Sequence, residues 1–167
     1  MVKPPATHYP ILKDADEFEN LCHDIWLCEW KDPNTVKHGR KGQKQNGVDV
    51  YGVDRSQDKT NTAYSGIQCK KRDGNLVGEL SPEVLQDEVK DAKDNFKEGL
   101  ETLLFVTTLP TDKNIQAEAR KLSKTAGFRV EHIGWDVIEE RLRLYPDIAA
   151  RYWPQYGTTY RQVSPSL

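Results

Sequence analysis

The amino-acid sequence predicts an α/β fold, a three-layer α/β/α arrangement with a central mixed β-sheet flanked by helices. Three observations lead there. Strands alternate with amphipathic helices through the second half of the chain, which requires crossover connections and parallel pairing. Earlier, two strand-like runs are separated by Arg55 to Thr62, polar apart from threonine methyls, as an antiparallel hairpin would be. Between these regions Thr102 to Leu109 is apolar and β-branched, too short for a globular helix, and reads as a buried central strand.

The elements follow in order. Phe18, Leu21, Cys22 and Ile25 recur at helical spacing, so a helix is expected from Asp14 to Trp30 with Asp14 as its N-cap. Lys31 to Asn34, containing Pro33, ends it. Thr35 to His38 is the one candidate for an extra strand before the hairpin. The hairpin strands are expected at Gly47 to Asp54 and Ala63 to Lys70. Ser81 and Pro82 open a helix running to about Phe96, with Leu85, Val89, Ala92 and Phe96 facing inward. A further amphipathic helix is expected over Asp112 to Ala126, with Gly127 at its C′ position. Phe128 to Gly134 reads as a strand, Trp135 to Leu144 as a helix, and Pro146 to Trp153 as one or two more helical turns. Residues 10–155 thus form one domain, and residues 156–167 read as a C-terminal tail or linker.

Bulk properties narrow the function. A chain of 167 residues suits a single domain with a sizeable core. No apolar run approaches the roughly 20 residues of a membrane helix, and Met1 to Pro10 lacks the apolar centre of a signal peptide. A cytoplasmic protein with no membrane partner is expected. The three cysteines, Cys22, Cys28 and Cys69, are an odd number, which argues for free thiols over disulfides. Zinc held by Cys22, His23 and Cys28 is the less favoured reading, because both cysteines also fit the apolar side of the first helix. A net charge of −2 gives no overall attraction to nucleic acid. One local patch does: Val36 to Asn46 carries Lys37, Arg40, Lys41 and Lys44, with His38 and no acid.

The chemistry concentrates in Gly47-Val48-Asp49-Val50 and Ile67-Gln68-Cys69-Lys70, where polar groups interrupt apolar strands. Side chains alternate along a strand, so Gln68 and Lys70 share a face. If the hairpin sets Asp49 beside them, an acid, an amide oxygen and an ammonium converge. A hard cation such as Mg²⁺ wants oxygen ligands, which Asp49, Gln68 and the backbone carbonyl of Cys69 could supply. Such a metal activates water and polarises phosphate, while Lys70 steadies the nucleophile or the developing charge.

These segments resemble the PD-(D/E)xK nuclease motif of the restriction-endonuclease-like superfamily. More specifically, they resemble Mrr-like nucleases and the nuclease effector domains of bacterial anti-phage defence proteins. The counterparts are Phe18-Glu19, the basic loop Gly39 to Gln43, Gln45 to Asp49 and Ile67 to Lys70, continuing through Thr107-Thr108 and Gly134-Trp135-Asp136. The likeness covers roughly residues 15 to 150. It implies a restriction-endonuclease-like fold and a Mg²⁺-dependent endonuclease, with Mn²⁺ able to substitute, cutting DNA and favouring double strands. It further implies an effector module of a defence or restriction system, a homo-oligomer, and further domains C-terminal to this chain. Arg40, Lys41, Gln43, Lys44, Gln45 and Lys71 would then lie against DNA.

Gln68 departs from the wider motif, where many relatives carry Glu, and so removes a negative ligand. Glu19, carried over from the first-helix Glu of the Mrr-like pattern, is expected to assist Asp49, Gln68 and Cys69 at the metal. It lies about 100° from Phe18 on the helical wheel, at the rim of the apolar stripe. Glu29 is its rival. Glu88 falls on the inner arc of its helix and is expected as a rim carboxylate sooner than as the partner of a site cation. Trp135 reads as core packing, and His23, His38 and His132 as structural or surface residues. Two other functions compete: a catalytically inactive nucleic-acid-binding module of the same fold, and a plain interaction domain.

Overall fold

Asp14 begins the first helix as expected, its side chain accepting the Asp16 N–H at 3.0 Å. The computed structural model describes residues 8–38, 47–70 and 80–155. Within them, helix α1 is Ala15–Glu29, followed by the short strand β1, Val36–Lys37. The hairpin strands are β2, Val50–Val53, and β3, Tyr64–Lys70. Then come α2 (Pro82–Asn95), β4 (Thr102–Thr107), α3 (Lys113–Ser123), β5 (Arg129–Ile133), α4 (Trp135–Leu144) and α5 (Pro146–Tyr152).

The strands form one mixed sheet in the order β1-β2-β3-β4-β5. The pairs β1–β2 and β2–β3 are antiparallel, while β3–β4 and β4–β5 are parallel, with α2 and α3 supplying the crossovers. Helices cover both faces, giving the expected three layers. On one face Phe18, Leu21, Cys22 and Ile25 of α1 join Ile138, Leu142 and Trp153 over Val50, Ile67, Leu104 and Val106. On the other, Leu85, Val89 and Ala92 of α2 and Ile115 and Ala119 of α3 pack on Val48, Leu103, Phe105 and Val130. Trp135 is core packing, as expected, with its indole N–H donating to the Tyr9 carbonyl at 3.2 Å.

Two expected boundaries need correction. Helix α3 stops at Ser123, three residues before the expected Ala126, so Gly127 is not its C′ residue. Lys124 and Thr125 instead make tight turns onto Lys121 and Leu122, and Gly127, at φ +85°, reverses the chain into β5. The ladder between β2 and β3 also starts at Val50, not Gly47. Gly47 sits at φ +76°, and a Cβ there would lie 2.6 Å from the backbone nitrogen of Ala92. Only glycine lets the chain pass so close to α2, and that approach shapes the site described next.

Candidate active site

Val48 faces the α2 layer and Val50 the α1 layer, so strict alternation is broken at the residue between them, Asp49. The backbone of Asp49 spans the neighbouring strands, its N–H donating to Ile67 O and its carbonyl accepting from His38 N–H, both at 2.7 Å. Its carboxylate then takes the next ladder position, with Oδ2 accepting the Cys69 N–H at 2.7 Å. The side chain is thereby pinned at the end of the hairpin, 3% exposed.

Glu19 reaches the same spot from α1, and its side chain hydrogen-bonds to that of Asp49. Burial, opposed by the Cys69 N–H, and then the charge and hydrogen bond of Glu19 together push the Asp49 carboxyl up to about 7, with Lys70 pulling the other way. Lys37 flanks the pair from β1, its Nζ 2.8 Å from Asn20 Oδ1 and 3.9 Å from Glu19 Oε2.

A stability consequence follows for the metal-free protein. An acid whose folded value lies above its ordinary 3.8 binds its proton more tightly when folded. The stabilisation is full below about pH 4 and is lost as pH rises toward 7, at up to about 1.4 kcal/mol per pH unit. Asp49→Asn keeps an oxygen for the Cys69 N–H but cannot ionise. Denaturant melts between pH 4 and 8 in chelator should show a flatter fall in unfolding free energy for Asp49→Asn than for the wild type. Parallel curves would contradict a buried, proton-holding Asp49.

Gln68 and Lys70 share the α2 face of β3, as expected. Gln68 is buried, and its Oε1 is the one buried side-chain oxygen or nitrogen among the described residues without a hydrogen-bond partner. A buried amide oxygen left this way costs on the order of 1–3 kcal/mol unless something satisfies it. Lys70 forms an ion pair with Glu88 of α2. Glu88 is therefore the partner of a site cation and not the rim carboxylate expected from sequence. The inner-arc position of Glu88 was a usable signal; that α2 presses on Gly47 and brings Glu88 to Lys70 was not readable in advance.

The Cys69 thiol lies on the α1 face, where the Cys22 thiol hydrogen-bonds to it. That contact, with burial, holds it well above the ordinary thiol range, so it is no nucleophile. Glu29 is withdrawn as an alternative ligand, because its carboxylate is held by Arg141 Nε at 2.6 Å and Tyr145 OH at 2.9 Å. The histidines are structural, as expected. His23 Nε2 meets Thr35 O at 2.7 Å, His38 Nδ1 meets Val48 O at 3.0 Å, and His132 Nε2 accepts the Asp112 N–H at 3.2 Å.

Asp49, Glu19, Gln68, Cys69 and Lys70 are thus brought to one end of the β2–β3 hairpin. Arg40, Lys41, Gln43, Lys44, Gln45 and Lys71 lie outside the described residues, as does the tail from 156. Among the described residues no three of His, Cys, Asp and Glu converge as a ready metal cluster. The oxygens here are two carboxylates supplemented by an amide and a backbone carbonyl. That set suits a hard cation, and the orphaned buried oxygen of Gln68 fits one.

No family model matches the chain, and no curated protein matches it. Among solved structures it is similar to the MspJI restriction endonuclease in complex with a 27-mer oligonucleotide (TM-score 0.47, 21% identity, 75% of this chain and 27% of that one). It is also similar to the DNA modification-dependent restriction endonuclease AspBHI (TM-score 0.44, 15% identity, 96% of this chain and 45% of that one). The chain spans less than half the length of either. No helix among the described residues is long and apolar enough to cross a membrane.

Proposed function

We propose that this chain is a restriction-endonuclease-like, Mg²⁺-dependent DNA endonuclease hydrolysing phosphodiester bonds. The observation that carries the reading is that the strand end where Asp49 and Glu19 act on each other also carries the unsatisfied Gln68 oxygen and the ammonium of Lys70. Asp49, Glu19, Gln68 Oε1 and the Cys69 carbonyl would hold the cation. On a strand the N–H and carbonyl of one residue face the same neighbour, which puts the Cys69 carbonyl on the Asp49 side. The bound cation supplies a water of lowered pKa and an electrophile for the phosphate oxygens.

The protein residues contribute the rest. Asp49 and Glu19 would supply the negative charge that holds the cation, and the raised Asp49 carboxyl would have to be ionised to do so. Gln68 adds an oxygen without adding charge. Lys70 sits where negative charge grows on the phosphate and offsets it. Arg40, Lys41, Lys44 and Lys71, with Gln43 and Gln45, bind the DNA backbone and fix its register without choosing its sequence. The Mrr-like motif set supports a cytoplasmic, oligomeric effector of restriction or anti-phage defence with further domains, cutting double-stranded DNA. Mn²⁺ serves in place of Mg²⁺.

The test is incubation of supercoiled plasmid with the protein in Mg²⁺ and in chelator. Nicked and linear products are expected with Mg²⁺ and none with chelator. Salt-sensitive DNA binding without any cleavage would leave an inactive binding module of the same fold instead.

A further inference from the structure

We propose that Glu88 is a positioning residue that holds the Lys70 ammonium on the α2 side of the site and away from the Asp49–Glu19 carboxylates. The proposal rests on the nuclease reading above and assigns a task to a residue outside the motif. Lys70 has anions on two sides. Its ammonium pairs with Glu88, and its charge is also felt at Asp49. A four-carbon stem lets an ammonium swing between such partners, so the nearer carboxylate decides where it rests. Without Glu88, the acid left to draw the Lys70 charge is Asp49, which must take the cation, and Lys70 would compete for it.

The fold fixes this arrangement. Glu88 lies one helical turn before Ala92, whose backbone Gly47 approaches so closely that no Cβ fits between them. The turn that delivers Asp49 and the helix that delivers Glu88 are thus clamped together. Both members of the ion pair are partly sheltered, with side-chain exposures of 24% for Lys70 and 17% for Glu88, so water screens them less than an ordinary surface pair.

Glu88→Gln keeps the shape and removes the charge, and Glu88→Asp keeps the charge one methylene further back. The first readout is Mn²⁺ binding without DNA, followed by electron paramagnetic resonance. Glu88→Gln should bind Mn²⁺ roughly tenfold more weakly than the wild type, and Glu88→Asp should recover most of that loss. The second is plasmid cleavage across Mg²⁺ concentrations. Glu88→Gln should need roughly tenfold more Mg²⁺ for half-maximal rate and lose kcat with little change in KM for DNA, again with recovery in Glu88→Asp. Thermal melts should differ little among the three proteins.

Wild-type Mn²⁺ affinity in a folded Glu88→Gln overturns the proposal, as does a loss that Glu88→Asp fails to recover. A wild type that binds Mn²⁺ but never cuts DNA overturns the nuclease reading alone, and the binding comparison still decides the role of Glu88. A wild type that binds no Mn²⁺ overturns both.

Discussion

Asp49→Ala is expected to cut the rate of plasmid cleavage by roughly a thousandfold, the scale on which removing one essential charge-stabilising group acts. The carboxylate has two tasks, and alanine removes both. In the proposed site its charge would be the core of the cation's ligand set, and its Oδ2 also ends the hairpin ladder by accepting the Cys69 N–H. Asp49→Asn restores that hydrogen bond and not the charge. It should therefore be as inactive as Asp49→Ala while melting like the wild type near pH 4 and more stably than it at neutral pH. Quantified nicking in saturating Mg²⁺ alongside denaturant melts separates the two tasks. Appreciable cleavage by a folded Asp49→Asn would remove Asp49 from the site.

Glu19→Gln carries the second large effect. With Gln68 neutral, Asp49 alone offers one carboxylate, which is thin for a divalent cation beside a phosphate. Glu19, whose charge and side chain act on Asp49, puts a second acid at the same place. Glutamine can keep that contact and cannot add charge. The variant should fold normally, need at least tenfold more Mg²⁺ for half-maximal cleavage and lose most of its maximal rate. Lys37, 3.9 Å from Glu19 Oε2, would lose its anionic neighbour but keep Asn20, so little stability should go with the charge. An unchanged Mg²⁺ titration would leave Glu19 as the partner of Asp49 and of nothing else.

Much of this was legible before the structure, for identifiable reasons. The α1 stripe, the Ser81-Pro82 start of α2 and the apolar run of β4 are local patterns, and each lies where its residues predicted. Face-sharing by Gln68 and Lys70 follows from strand alternation alone. What was hidden depends on contacts between distant segments. Asp49 escapes the alternation at a bend between Val48 and Val50, which no pattern within β2 announces. The charge of Glu88 was visible at an inward position, but not that Lys70 would be its partner. The expected α3 overran to Ala126 because Ala126 is itself buried and continues the apolar pattern after the helical hydrogen bonds have turned. Glu29 falls nearer the centre of the stripe than Glu19 on the wheel but close to the helix end, and the structure commits its carboxylate to Arg141 and Tyr145.

The central claim is that the meeting of Asp49, Glu19, Gln68 and Lys70 hydrolyses DNA with a bound divalent cation. Its most direct test is single-turnover nicking of supercoiled plasmid by wild type and Lys70→Ala, prepared identically and assayed in Mg²⁺ side by side. In the proposed mechanism Lys70 would add charge at the phosphate without being a ligand, so Lys70→Ala should still bind Mn²⁺ while its nicking rate falls by roughly a thousandfold. Nicking by Lys70→Ala at the wild-type rate would contradict the account.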